Sequence, residues 1–265
     1  MSAAVLNGAL APTPFHRELA HRAWTDVLAD WWPRLLSGIA ADESHAVIAT
    51  GQAVRALADA DTPARRDALA TALARWVAHA QPLPGVVPPR GRLTAAGALA
   101  GVPRMIIQRG DLAERLARLG HTPGWPASLT ALRLTEPREL LRDLVSAALA
   151  RYAGHAHGAP IMLARAAIAP NAVLRVLPYL PRDQWAASAA RAWALSAALT
   201  AAYAPAAEAD ECPVPAASPD AAFAAALDNG DVPVLELAGT AMDAYARDGD
   251  KRALVAVARA VELFF

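Results

Sequence analysis

"PRELLRDLVSAALARYA", residues 137–153, decides the fold. Leu140, Leu141, Leu144, Val145, Ala148, Leu149 and Tyr152 recur at spacings of three and four, which lays one apolar stripe along a helix. Pro137 sits near the first helical position, where its missing N–H costs nothing. Gly154 follows the last apolar residue and reads as the helix end. The stretch therefore predicts an amphipathic helix over 137–153, and the same grammar extends in both directions.

Downstream, "PIMLARAAIAPNAVLRVLP" (160–178) opens on a proline and reads as a helix that Pro170 kinks or splits. "PRDQWAASAARAWALSAALTAAYA" (181–204) is long and rich in small residues, with Trp185 and Trp193 as its large knobs. Three further helices are expected near 219–228, 233–247 and 249–264. Upstream, residues 16–32 carry a helical stripe that Pro33 interrupts, and residues 34–42 suit a short turn. Residues 44–58 form a helix whose start is marked by Asp42, Glu43 and Ser44, and 63–80 form another behind Pro63. "QPLPGVVPPRGR" (81–92) is an irregular crossing, "HTPGWPAS" (121–128) a loop, and 94–100, 110–119 and 127–133 short helical pieces.

Alanine dominates the 55% hydrophobic content, and runs of β-branched residues are few. The expectation is an all-α fold: one multi-helix domain of about ten helices, with a loosely attached C-terminal helical pair. Residues 1–15 read as a flexible N-terminal segment, 16–265 as the domain and 205–219 as a Pro/Ala-rich linker. No repeat of fixed period is present.

Formal net charge is +0, which gives no bulk attraction for nucleic acid or anionic lipid. Cys212 is the only cysteine, so an internal disulfide and a multi-cysteine metal site are both excluded. Lys251 is the only lysine. "AWALSAALTAAYAPAA" (192–207) reads as a buried helix rather than a membrane span, and the start of the chain lacks the basic region of a signal peptide. A cytoplasmic location is expected.

Glycine-rich phosphate cradles, HExxH and GxSxG are absent. Histidines are the remaining candidates. His45 opens a helix with Ala49 and Gln52 on its face. His155 and His157 flank Ala156; on a continuing helix they would diverge by about 200°, and only a turn would aim both at one site. His16, His21, His79 and His121 read as surface groups, while Glu43, Glu236 and Asp243 are ligands by chemistry alone.

Two stretches carry a resemblance. "WTDVLADWWPRLLSGIAADESHAVIATGQAVRAL" (24–57) and "RYAGHAHGAPIMLARAAIAPNAVLRVLPYLP" (151–181) resemble the questin oxidase-like family, as do "HTPGWPASL" (121–129) and "AWALSAALTAAYAP" (192–205). The resemblance implies an all-helical oxidoreductase that opens the ring of anthraquinone-type polyketides. It also implies non-haem iron held by histidines and a carbamylated lysine, with NADPH as a further associated cofactor. Carried over, His45, His155 and His157 become catalytic residues or metal ligands, and Glu236 replaces the lysine as an anionic donor. Gln52, Arg165, Asn229 and Pro233 stand where the family carries histidines.

Two functions follow from this. One is oxidative ring opening of an apolar aromatic substrate. The other is a catalytically degenerate relative that binds a hydrophobic small molecule or a protein partner, with Arg165 and Glu236 pairing across the former metal site.

Overall fold

The computed structural model describes residues 13–264. The chain is all-α. Thirteen helices follow one another: α1 (Pro14–His21), α2 (Trp24–Leu35), α3 (His45–Asp59), α4 (Pro63–Ala78), α5 (Ala95–Ala100), α6 (Leu112–Leu119), α7 (Trp125–Ala131), α8 (Pro137–His155), α9 (Pro160–Val176), α10 (Trp185–Tyr203), α11 (Pro219–Asn229), α12 (Val232–Asp248) and α13 (Arg252–Leu263). Among the described residues the β-type pairing consists of isolated bridges. Two of them, Gly91 with Arg133 and Leu93 with Leu132, stitch the proline-rich crossing to the end of α7.

α9 and α10 form the centre. Both are buried over most of their circumference, the mark of central helices, with Arg165 and Arg175 of α9 and Arg191 of α10 reaching out at their edges. α9 packs against α10, α8, α3 and α12. Small residues permit this crowding: a Cβ added at Gly51 of α3 would lie 2.6 Å from the Ala172 Cβ of α9. The run Pro160–Tyr179 is long and apolar enough to cross a membrane by composition, but 78% of it is buried inside the protein.

Several expectations change. The helix foreseen over 16–32 is two helices, broken at Arg22–Ala23. Neither Pro33 nor Pro170 ends its helix. Each proline orphans the carbonyl four residues earlier, and each orphan finds a side-chain donor. Gln184 Nε2 donates to the Ala29 carbonyl at 3.0 Å, and Ser196 Oγ donates to the Ala166 carbonyl at 2.7 Å. Both donors come from the segment that begins α10 or from α10 itself, so the broken ladders are repaired by the helix that packs over them.

The C-terminal helices are firmly docked. α13 lies on α8, α12 lies on α9, and Val234, Leu237, Leu254 and Val257 belong to the common core. The 1–15 segment lies outside the described residues as far as position 12, and the chain is helical from Pro14. Part of the expected loop 121–128 is the start of α7.

Indole donors anchor the irregular segments. Trp76 Nε1 donates to the Gly38 carbonyl at 2.9 Å, Trp125 to Pro84 at 3.2 Å and Trp193 to Leu129 at 2.9 Å. Each tryptophan thus fills the core and also satisfies a carbonyl, at Gly38 and Pro84 outside the α-helices and at Leu129 in the last turn of α7.

Candidate functional site

The residues singled out by sequence lie in three places. The first is the turn before α3. Asp42, Glu43 and Ser44 all have left-handed backbones, with φ of 51°, 54° and 72°. For residues with a Cβ this conformation costs roughly 1–2 kcal/mol each. Side chains hold the turn in place. Arg75 pairs with Asp42, and the Ser44 hydroxyl donates to the Glu43 carbonyl. Arg165 Nη1 donates to both the Glu43 carbonyl and its carboxylate, each at 2.9 Å. His45 follows as the first residue of α3, partly exposed. Nearby, the Arg115 guanidinium lies 4.1 Å from the centre of the Tyr203 ring. Burial, reinforced by the charges of Glu43 and Asp111, pushes the Tyr203 phenol above its ordinary range.

The second place is the end of α8. Here Gly154 does not stop the helix, which continues to His155; His157 lies in the following 3₁₀ turn. The two imidazoles are not a pair aimed at one site, since His155 is buried and His157 exposed. His155 Nδ1 lies 3.2 Å from the Arg151 carbonyl, and Nε2 lies 3.9 Å from Glu208. Burial, with the nearby Arg151 charge, pushes its pKa down, so the ring favours the neutral form. The second glycine of "GHAHG" serves a close approach. A Cβ at Gly158 would lie 2.8 Å from Pro205 Cδ, and the Gly154 carbonyl accepts the Ala209 N–H at 2.8 Å. The expected 205–219 linker is therefore strapped over this turn at its start. Beneath it is a void of about 10 Å³ lined by Arg151, Tyr152, His155, Leu163 and Thr200. That is room for about one water, not for a polycyclic substrate.

The third place is a groove of about 640 Å³ between α3, α9 and α12. Gln52 Nε2 donates to Glu236 Oε1 across it at 2.9 Å. Arg55, Asp59 and Arg175 add charge, while Ala56, Val232, Leu235 and Gly239 supply apolar wall. Arg175 is fixed by Asp243, at 2.8 Å from Nε and 2.6 Å from Nη2, and Asn171 donates to the same carboxylate at 3.0 Å.

These places do not merge. Leu163 and Arg165 are two residues apart on α9 and so point about 200° apart; the first faces the His155 void and the second reaches Glu43. His45 and Gln52 share a face of α3 but are separated by about 10 Å of helical rise. The expected Arg165–Glu236 pair does not form: Arg165 takes Glu43, and Glu236 takes Gln52. Asn229 closes α11, donating to the Phe264 carbonyl at 3.3 Å, and Pro233 lies in the first turn of α12. Among the described residues no group of three or more His, Cys, Asp or Glu side chains is placed to hold a metal ion. The donor set carried over by resemblance therefore does not fit an iron centre.

Glu43 as the partner of Arg165, and Arg55, Arg175 and Leu235 as groove walls, escaped the sequence reading. A helical face identifies neighbours within one helix and leaves the opposing helix unnamed. Compared with known proteins, the chain matches no protein-family model, no curated protein and no solved structure.

Proposed function

We propose that this chain is a non-redox relative of the questin oxidase-like kind, a helical protein that binds a small amphipathic molecule in the α3–α9–α12 groove. The hydrogen bond between Gln52 and Glu236 carries the reading. It commits Glu236, the anionic donor that the resemblance puts in place of the lysine, to a neutral amide, and it sets an exposed polar pair beside Val232 and Leu235. The groove volume falls within the ordinary range for small-molecule sites. Arg165 supports the same reading from the other end. A guanidinium cannot ligate a metal, and this one is held by Glu43 where the resemblance expects an imidazole.

Two measurements test this. Protein expressed in iron-replete medium and analysed for metal should carry far less than one iron per chain. Titration with a hydroxylated anthraquinone should show saturable binding that Gly239→Leu, which fills the groove, abolishes. Stoichiometric iron together with substrate-dependent oxygen uptake would overturn the proposal.

A further inference from the structure

The charged groups around the α3–α9–α12 groove are unequally matched. Glu236 accepts from Gln52 at 2.9 Å, and Asp59 accepts from Arg65 at 3.0 Å. Asp243 receives three donors on a single oxygen: Asn171 Nδ2 at 3.0 Å, Arg175 Nε at 2.8 Å and Arg175 Nη2 at 2.6 Å all reach Oδ2. Arg55 differs. Its side chain is 62% exposed, and it meets only the other oxygen of Asp243, Nη1 to Oδ1 at 3.9 Å, too long for a hydrogen bond. It therefore lines the groove of about 640 Å³ with its fork of N–H donors open to an incoming group.

Charge and spacing define what would complete that fork. Arg55 and Arg175 share the single carboxylate of Asp243, which leaves one positive charge in excess at this end of the groove. Asp59 is already matched by Arg65. Glu236 lies two turns before Asp243 on α12, about 10 Å of helical rise away, which is roughly one screening length in salt. One excess cation suits a monoanion, and a carboxylate takes both prongs of a guanidinium at once. Between the two polar ends the wall is open and apolar: Leu235 lines it, and a Cβ added at Gly239 would meet nothing within 4 Å.

We infer that the ligand of this groove is an amphipathic carboxylate, its acid group held by Arg55 and its apolar body laid on Ala56, Val232 and Leu235. The inference rests on the groove being the binding site.

The test is calorimetric titration of the full chain with an anthraquinone monocarboxylate and with its neutral hydroxymethyl analogue, two probes of nearly the same shape. The carboxylate should bind wild type about tenfold or more tightly than the neutral probe, the gain of a charge-assisted contact. Arg55→Gln should erase that preference while leaving the affinity for the neutral probe within about twofold. Raising the salt should narrow the preference in wild type, because Arg55 is exposed. The variant should fold, since it removes no hydrogen bond and glutamine suits a helix; far-UV circular dichroism checks this. Equal affinity of wild type for the two probes, or a preference that persists in folded Arg55→Gln, would overturn the inference and leave the groove reading standing. Failure of both probes to bind wild type would overturn the groove reading, and this inference with it.

Discussion

Ser196→Ala gives the sharpest test of how this core is held together. Ser196 is fully buried, and its hydroxyl is the donor that repairs the Ala166 carbonyl orphaned by Pro170. Deleting it leaves a carbonyl in the dry interior without a partner, at a cost of about 1–3 kcal/mol. Alanine returns about half a kcal/mol through its better helix propensity. The net loss is about 0.5–2.5 kcal/mol, which lowers Tm by roughly 1–10 °C in a chain of this size. The decisive comparison is the double-mutant cycle with Pro170→Ala. Alanine at 170 restores a backbone N–H four residues after Ala166, so the carbonyl regains its helical donor. In that background Ser196→Ala should cost less than about half a kcal/mol, since the hydroxyl has become a redundant second donor. Urea unfolding followed by far-UV circular dichroism measures all four corners, with constant m confirming comparable end states. Equal cost of Ser196→Ala in both backgrounds would refute the coupling of serine to proline.

Other expectations are more compact. Gly51→Ala should destabilise by about 1–3 kcal/mol, because its Cβ meets the Ala172 backbone, with Cα at 2.7 Å, whereas Gly239→Ala meets nothing within 4 Å and should stabilise by about 1 kcal/mol; thermal melts read both signs. Glu43→Gly should be more stable than Glu43→Ala by about 1–2 kcal/mol in chemical denaturation, since both delete the carboxylate that holds Arg165 but only glycine tolerates φ of 54°. His155 should titrate below 6.5 in a two-dimensional NMR series. Its folded pKa lies below the unfolded one, so the ring contributes no pH dependence above about 6.5. As pH falls below that value the unfolded chain takes a proton that the folded chain resists, and stability drops until the folded pKa is passed; His155→Gln should flatten that segment of the stability curve.

The all-α class was legible because periodicity and alanine content act locally, and α8 shows it: every residue of the stripe read over 137–153 is buried. Proline was over-read. Pro33 and Pro170 look like breaks as long as only the local ladder is considered, and become tolerable once Gln184 and Ser196 arrive from elsewhere in the chain. Gly154 was misread as well. It does not form a left-handed cap, and an added Cβ would meet Glu208 only at an ordinary contact distance of 3.6 Å, so nothing around it requires glycine. The site residues were the least legible. Sequence placed His45 and Gln52 on one face correctly, but the partner of Gln52 was decided by α12 and that of neighbouring Glu43 by α9, each more than a hundred residues away.

The three polar places share one physical origin. The α9–α10 interior is built from alanine and a few large residues at close packing, which leaves no room for a ligand and little tolerance for an unmatched charge. Polar chemistry is therefore displaced to helix seams and ends, where a side chain can reach both a partner and water. Arg165 illustrates the constraint. It lies on a helix otherwise buried almost throughout, and it is accommodated because Glu43 presents both a carbonyl and a carboxylate from a backbone held in a costly conformation. If that turn existed only to begin α3, an ordinary capping serine in extended conformation would do the same work without strain. Three successive left-handed residues persist because they aim the Glu43 acceptors at Arg165, which would otherwise bring an unmatched guanidinium to the edge of the core.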